Sequence, residues 1–185
     1  GTSSFIAQEK MLATAIAAPM DSITTTGGKF GLGASVALNL INTNTTAELQ
    51  DGATMINGIG LTVQATSNID TVTTASAGAA GGIAIDASVA LATLDERTTA
   101  RVGTGTGMTM GAGTVTISAI NTGTNTATST GKTKGGKVAV GASAALILGG
   151  GASDGALNNT SITSATLARG LTAGSLAISA SSVRT

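Results

Sequence analysis

The chain repeats itself. Gly33-Ala34-Ser35-Val36-Ala37-Leu38 returns as Asp86-Ala87-Ser88-Val89-Ala90-Leu91, and again as Gly141-Ala142-Ser143-Ala144-Ala145-Leu146. Each copy follows a glycine pair, Gly27-Gly28, Gly81-Gly82 and Gly135-Gly136. A second block also recurs: Gly60-Leu61-Thr62-Val63-Gln64-Ala65, Gly113-Thr114-Val115-Thr116-Ile117-Ser118-Ala119, and Gly174-Ser175-Leu176-Ala177-Ile178-Ser179-Ala180. A fainter echo relates Met20-Asp21-Ser22-Ile23-Thr24-Thr25 to Ile69-Asp70-Thr71-Val72-Thr73-Thr74. The chain therefore holds about three and a half copies of a unit of roughly 53 residues, with a partial copy at 1–26 and further copies at 27–80, 81–134 and 135–185. A period of this length restricts the fold to architectures in which similar modules pack on one another.

Within each unit the apolar pattern has period two. Phe30, Leu32, Ala34, Val36, Leu38 and Leu40 alternate with Gly31, Gly33, Ser35, Ala37 and Asn39, the mark of a half-buried strand. Leu61, Val63 and Ala65 alternate with Thr62 and Gln64 in the same way. Asp51-Gly52 and Asn57-Gly58 are turn dipeptides that tolerate positive φ. Thr, Val and Ile are frequent and the single proline is Pro19, as strands prefer. The segment from Gln8 to Ala18 is rich in helix formers and could be a short helix ended by Pro19. Its alignment with the Leu61 block favours a strand.

Short strands in such a unit suit a propeller, an antiparallel array or a solenoid. Composition separates them. Aromatic residues are 1% of the 185, Phe5 and Phe30 alone, whereas blades and sandwiches rely on rings for buried area. Small and β-branched side chains instead suit a thin interior, so the expected fold is all-β, a parallel β-helix (β-solenoid). A coil of roughly 20 residues makes each unit two or three coils, and the whole a rod about 40 Å long. Charged residues are only 10%, and nine Lys+Arg balance nine Asp+Glu, so no net field attracts nucleic acid. The one basic cluster, Lys132, Lys134 and Lys137, has no aromatic beside it for base stacking and reads as a solvated turn. No run reaches the roughly 18 apolar residues of a membrane span. Gly1-Thr2-Ser3-Ser4 lacks the basic start of a signal peptide, so any targeting segment is expected outside this sequence.

The run Gly27-Gly28-Lys29-Phe30-Gly31-Leu32-Gly33-Ala34-Ser35-Val36-Ala37-Leu38-Asn39 resembles the repeats of giant bacterial surface proteins. So do Thr45-Thr46-Ala47-Glu48-Leu49, Asp51-Gly52-Ala53 and Leu61-Thr62-Val63-Gln64-Ala65-Thr66. The proteins resembled are filamentous-haemagglutinin-like and leukotoxin-type adhesins and autotransporter passenger domains. The resemblance is one of repeat style. It implies a parallel β-helix, an extracellular or outer-membrane-associated location, and roles in adhesion, aggregation or fibre and envelope structure. It supplies no catalytic residues.

Chemistry-bearing patterns are sparse. With no His and no Cys, the usual general base, the thiolate nucleophile and most zinc or iron sites are missing. Asp95-Glu96, or Glu48 with Asp51, could supply paired carboxylates, but Asp95-Glu96-Arg97 reads better as a polar turn. Gly149-Gly150-Gly151-Ala152-Ser153-Asp154-Gly155 is similar to a calcium-binding nonapeptide but carries Ala at the fourth position and occurs once. The glycine pairs lack the Gly-Lys-Ser/Thr of a phosphate loop. No cofactor and no catalysis are expected. Thr122, Thr124, Thr126, Thr128 and Thr130 share one strand face, with Thr71 and Thr73 at the related place. Such an array either serves β-propensity or binds ice, a mineral or a glycan.

The expected function is thus a structural or adhesive rod segment of a large exported protein. Its expected partners are neighbouring repeats, or identical subunits stacked end to end, with a host, cell or matrix ligand as a further partner. The rivals are a Thr-face binding module and a β-helical carbohydrate-active enzyme.

Overall fold

The computed structural model describes residues 1–17, 30–149 and 161–185, which form an all-β chain with no helix. Among the described residues nine strands follow in order: β1 (Thr2–Ala17), β2 (Phe30–Leu49), β3 (Gly60–Val102), β4 (Met108–Thr109), β5 (Thr114–Gly123), β6 (Asn125–Gly149), β7 (Ser161–Leu167), β8 (Leu171–Thr172) and β9 (Ser175–Arg184). Every pairing is parallel. β1, β3, β5 and β9 lie side by side in one sheet, and β2, β6 and β7 also pair with β3; β4 and β8 form a separate two-stranded ribbon. The segment 8–17 is strand throughout, in register with Thr66–Ala75.

Register follows the sequence repeat. Ala34 lies beside Ala87 and Ala87 beside Ala142; Leu61 lies beside Val115 and Val115 beside Leu176. The chain therefore comes back beside itself after one unit, with Phe30 next to Ile83 and Thr71 next to Asn125. This corrects the expected coil of roughly 20 residues. Side chains too small to fill a wide triangular tube instead let two long strand runs lie almost against each other.

Those runs are two legs of one layer. In the middle layer, residues 60–80 run out, the register shifts between Gly81 and Ile83, and residues 83–102 run back. Polar contacts cross from leg to leg: Asn39 Nδ2 donates to Thr73 Oγ1 at 2.9 Å, Ser88 and Ser129 hydroxyls meet at 2.7 Å, and Asn121 Nδ2 donates to Glu96 Oε2 at 3.1 Å. Thr45 Oγ1 donates to Glu9 Oε2 at 2.5 Å. Such bonds satisfy polar groups that the narrow interior would otherwise strand.

The interior tapers. Near the turn it holds Ala37, Ala75 and Ala90; midway, Ile41, Ile69 and Leu94; at the far end, Leu49, Leu61, Val63, Val102, Met108, Met110, Val115 and Ile117. The taper decides which face of the return leg turns inward. A Cβ on Gly31 would stand 2.1 Å from the Ala80 carbonyl oxygen, and one on Gly33 2.2 Å from that of Gly78. Only the small and polar set fits there, so Ser35, Ala37 and Asn39 are buried while Phe30, Leu32, Val36 and Leu40 face outward, each at least 65% exposed. On the first leg the parity is the familiar one, with Leu61, Val63, Ala65 and Ile69 buried.

Turn chemistry closes the other end. Gly52 (φ 74°) and Asn57 (φ 55°) occupy the left-handed region that Asn and Gly accept most readily. The Arg169 guanidinium, from the third layer, donates to the carbonyls of Gln50 (3.1 Å), Ala53 (2.5 Å), Gly103 (2.5 Å) and Thr104 (2.9 Å). One side chain thereby ties the corners of three successive layers.

Candidate functional site

Thr122, Thr126, Thr128 and Thr130 lie on the outward face of the first leg, beside Asn68, Val72, Thr74 and Ser76. Thr124, exposed like Thr126, Thr128 and Thr130, stands at the break between β5 and β6. The threonines form a row along one strand. Across the strands, Lys10–Asn68–Thr122 and Thr14–Val72–Thr126 change residue type from layer to layer. Thr71 and Thr73 do not belong to this face: they are 1% and 0% exposed and point inward, where Thr71 Oγ1 donates to Asn125 Oδ1 at 2.8 Å. Pairing with Asn125 and Ala127 puts them one residue out of phase with the exposed row.

Asp95 and Glu96, as neighbours in a strand, point to opposite faces. Glu96 is 1% exposed inside and is paired with Arg184, whose Nη2 also donates to Asn121 Oδ1 at 3.0 Å. The pair thus does not converge on one substrate position. Lys132 and Lys134 pair with Gly78 and Ala80 near the turn. Residues 150–155 of the calcium-like segment, and Gly27 and Gly28, lie outside the described residues. Among the described residues no group of three or more carboxylates could hold a metal ion, and no helix is long and apolar enough to cross a membrane. The depression between residues 57–59 and 109–113 is lined by Asn57, Gly58, Ile59, Thr109 and Met110 and by small residues, with no ionisable side chain.

Two aspartates, Asp70 and Asp51, serve instead as links between layers. Asp70 Oδ1 accepts the Thr124 backbone N–H (2.9 Å) and hydroxyl (2.7 Å), standing in for a ladder carbonyl where the strand breaks between β5 and β6. Asp51 Oδ1 does the same for Thr104 (2.6 and 2.9 Å), and its other oxygen pairs with Arg101 at 2.6 Å. Arg101 also reaches Glu48 at 3.0 Å, so Glu48 and Asp51 are brought together on a cation. The Arg101 guanidinium first, and then the two Thr104 donors, hold the Asp51 carboxyl at about 2, down from 3.8.

A carboxyl depressed in the fold stabilises it above the unfolded pKa, and that stabilisation fades as pH falls through the folded one. Acidification from about pH 4 to about pH 2 should therefore loosen this corner. Denaturant unfolding across that window should show a stability loss in the wild type that is smaller in Asp51→Asn. Identical slopes in the two proteins would contradict the link.

Sequence reasoning took Phe30, Leu32, Ala34, Val36, Leu38 and Leu40 as the apolar face of a half-buried strand; the structure corrects this by turning that face outward, in the columns Leu32–Ile85–Val140, Val36–Val89–Ala144 and Leu38–Leu91–Leu146. The signal was present as the same period-two alternation, but alternation alone does not say which face is interior. Comparison with protein-family models, with curated proteins and with solved structures finds no match for this chain.

Proposed function

We propose that the chain is a segment of a parallel β-solenoid, one repeat to a layer, that acts as a structural or adhesive rod of an exported bacterial surface protein. One column of inward side chains carries this reading. Val63 and Ile117 are 0% exposed, but Phe5 below them and Ile178 above them, in register and pointing the same way, are 36% and 45% exposed. The greasy interior is open at both ends. Backbone edges agree: among the described residues β1 and β2 pair only with β3, β6 and β7 only with β3, and β9 only with β5. An open apolar interior flanked by unpaired parallel edges favours a further layer, from the same polypeptide or from a second copy.

On this reading extension itself is the function, and the Thr row and charged corners are the solvated skin of the rod. Adhesion then belongs to whatever the rod presents, with a cell or matrix surface as its partner and the exterior of the cell as its location. To test it, tandem copies are placed between an outer-membrane anchor and an epitope tag. Each added copy should move the tag outward by about 17 Å, three and a half layers at ~4.8 Å. A tag distance that does not grow with copy number would overturn the proposal.

A further inference from the structure

Scattered exposed apolar side chains are ordinary, but a contiguous uncharged patch on a sheet is not. The outward face of the return leg is such a patch. It comprises six alternate positions in each of three adjacent strands, 30–40, 83–93 and 138–148, all apolar except Thr93, which is buried. Leu32 is 77% exposed, Leu40 65%, Val140 52% and Leu146 51%. Asp95 and Arg97, two and four residues beyond Thr93, give it a polar edge.

We propose that this face pairs with the same face of a second copy of the chain, side by side. Four observations select that occupant. The columns repeat at the strand spacing of about 4.8 Å, so the surface that interdigitates with them is another face of parallel strands at the same spacing. The face holds no cation, Trp or Tyr to anchor in a lipid headgroup layer, and nine basic residues balance nine acidic ones, so two copies meet without net repulsion. The footprint is roughly 600 Å² per copy, or about 1,200 Å² in all, which reaches the size of a stable interface. A self-complementary patch closes at two and leaves the rod ends free. The pairing is therefore independent of whether rods extend end to end.

The test uses the 185-residue chain by sedimentation velocity and by cross-linking. Wild type should form a dimer that does not grow further through this face. Ile85→Lys combined with Val140→Lys should weaken the dimer at least about a hundredfold, because each lysine would be buried unpaired. Because the chain lacks cysteine, Val89→Cys should cross-link between copies with a short bis-maleimide, while Thr128→Cys on the opposite face should not. This second readout holds even if the double lysine variant fails to fold. A wild type that stays monomeric, equal cross-linking from both cysteines, or a monomer that cosediments with phosphatidylcholine vesicles would each overturn the proposal.

Discussion

Gly33→Val unfolds the turn end of the protein at a cost of at least about 3 kcal/mol, whereas Leu32→Thr, one residue away, changes stability by no more than about 0.5 kcal/mol. The order is the reverse of what hydrophobicity alone suggests. Leu32 is 77% exposed, so its replacement empties no cavity. Gly33 faces the opposing leg, and its missing Cβ would lie 2.2 Å from the Gly78 carbonyl oxygen and 2.8 Å from the carbonyl carbon. Backbone atoms cannot rotate aside as a flexible side chain can. The legs must part, and parting them also strips the cross-leg contacts of Ala37, Ala75 and Ala90. For a domain of this size the loss corresponds to a melting temperature lowered by about 6–12 °C. Thermal unfolding of both variants, at concentrations below any dimerisation, checks the pair. A tolerated Gly33→Val beside a damaging Leu32→Thr would mean that the leg is turned the other way round.

Arg184→Ala costs about 3 kcal/mol, although Arg184 is the penultimate residue and its side chain is 21% exposed. The reason lies in its partner. Glu96 is 1% exposed, with Asn121 and Arg184 as its polar contacts. Removing the guanidinium leaves a buried carboxylate without its counter-charge, and the penalty is the uncompensated charge rather than the lost contact. The Arg184 cation is itself taken partly from water, and that burial pushes its guanidinium down from its ordinary value. Replacing both partners, as Glu96→Leu with Arg184→Met, should recover most of the loss, since an apolar pair has no charge to strand. Denaturant titration of the single and double variants decides the matter. A double variant no better than Arg184→Ala would point to a steric role for the arginine.

These two positions also show what the sequence revealed and what it withheld. Strand type and repeat register were readable because period two is local and because the units retain matching residues; Ala34, Ala87 and Ala142 could be aligned by eye and do lie side by side. The turns at Gly52 and Asn57 were readable because few residues accept positive φ. The inward face was not: the apolar set of 30–40 reads as the buried one, but the choice rests on the gap between two legs that are distant in sequence, and that gap admits only the small set. The length of the layer was hidden for the same reason: small side chains suit a thin interior, but do not say whether it is a short triangle or a long flattened loop. Thr71 and Thr73 were grouped with the exposed threonines by residue type, and a one-residue difference in phase put them inside.

The central claim is that one repeat makes one layer, so that residues one unit apart are lateral neighbours. Gln64 and Ser118 are such neighbours on the polar face, away from the apolar patch. Adjacent parallel strands hold Cα atoms about 4.8 Å apart, within the range a disulfide spans. Gln64→Cys with Ser118→Cys should therefore close an intramolecular disulfide under mild oxidation of the folded monomer, and Gln64→Cys with Thr122→Cys, four residues out of register, should not. A 64/118 pair that stays reduced in the folded chain would contradict the account.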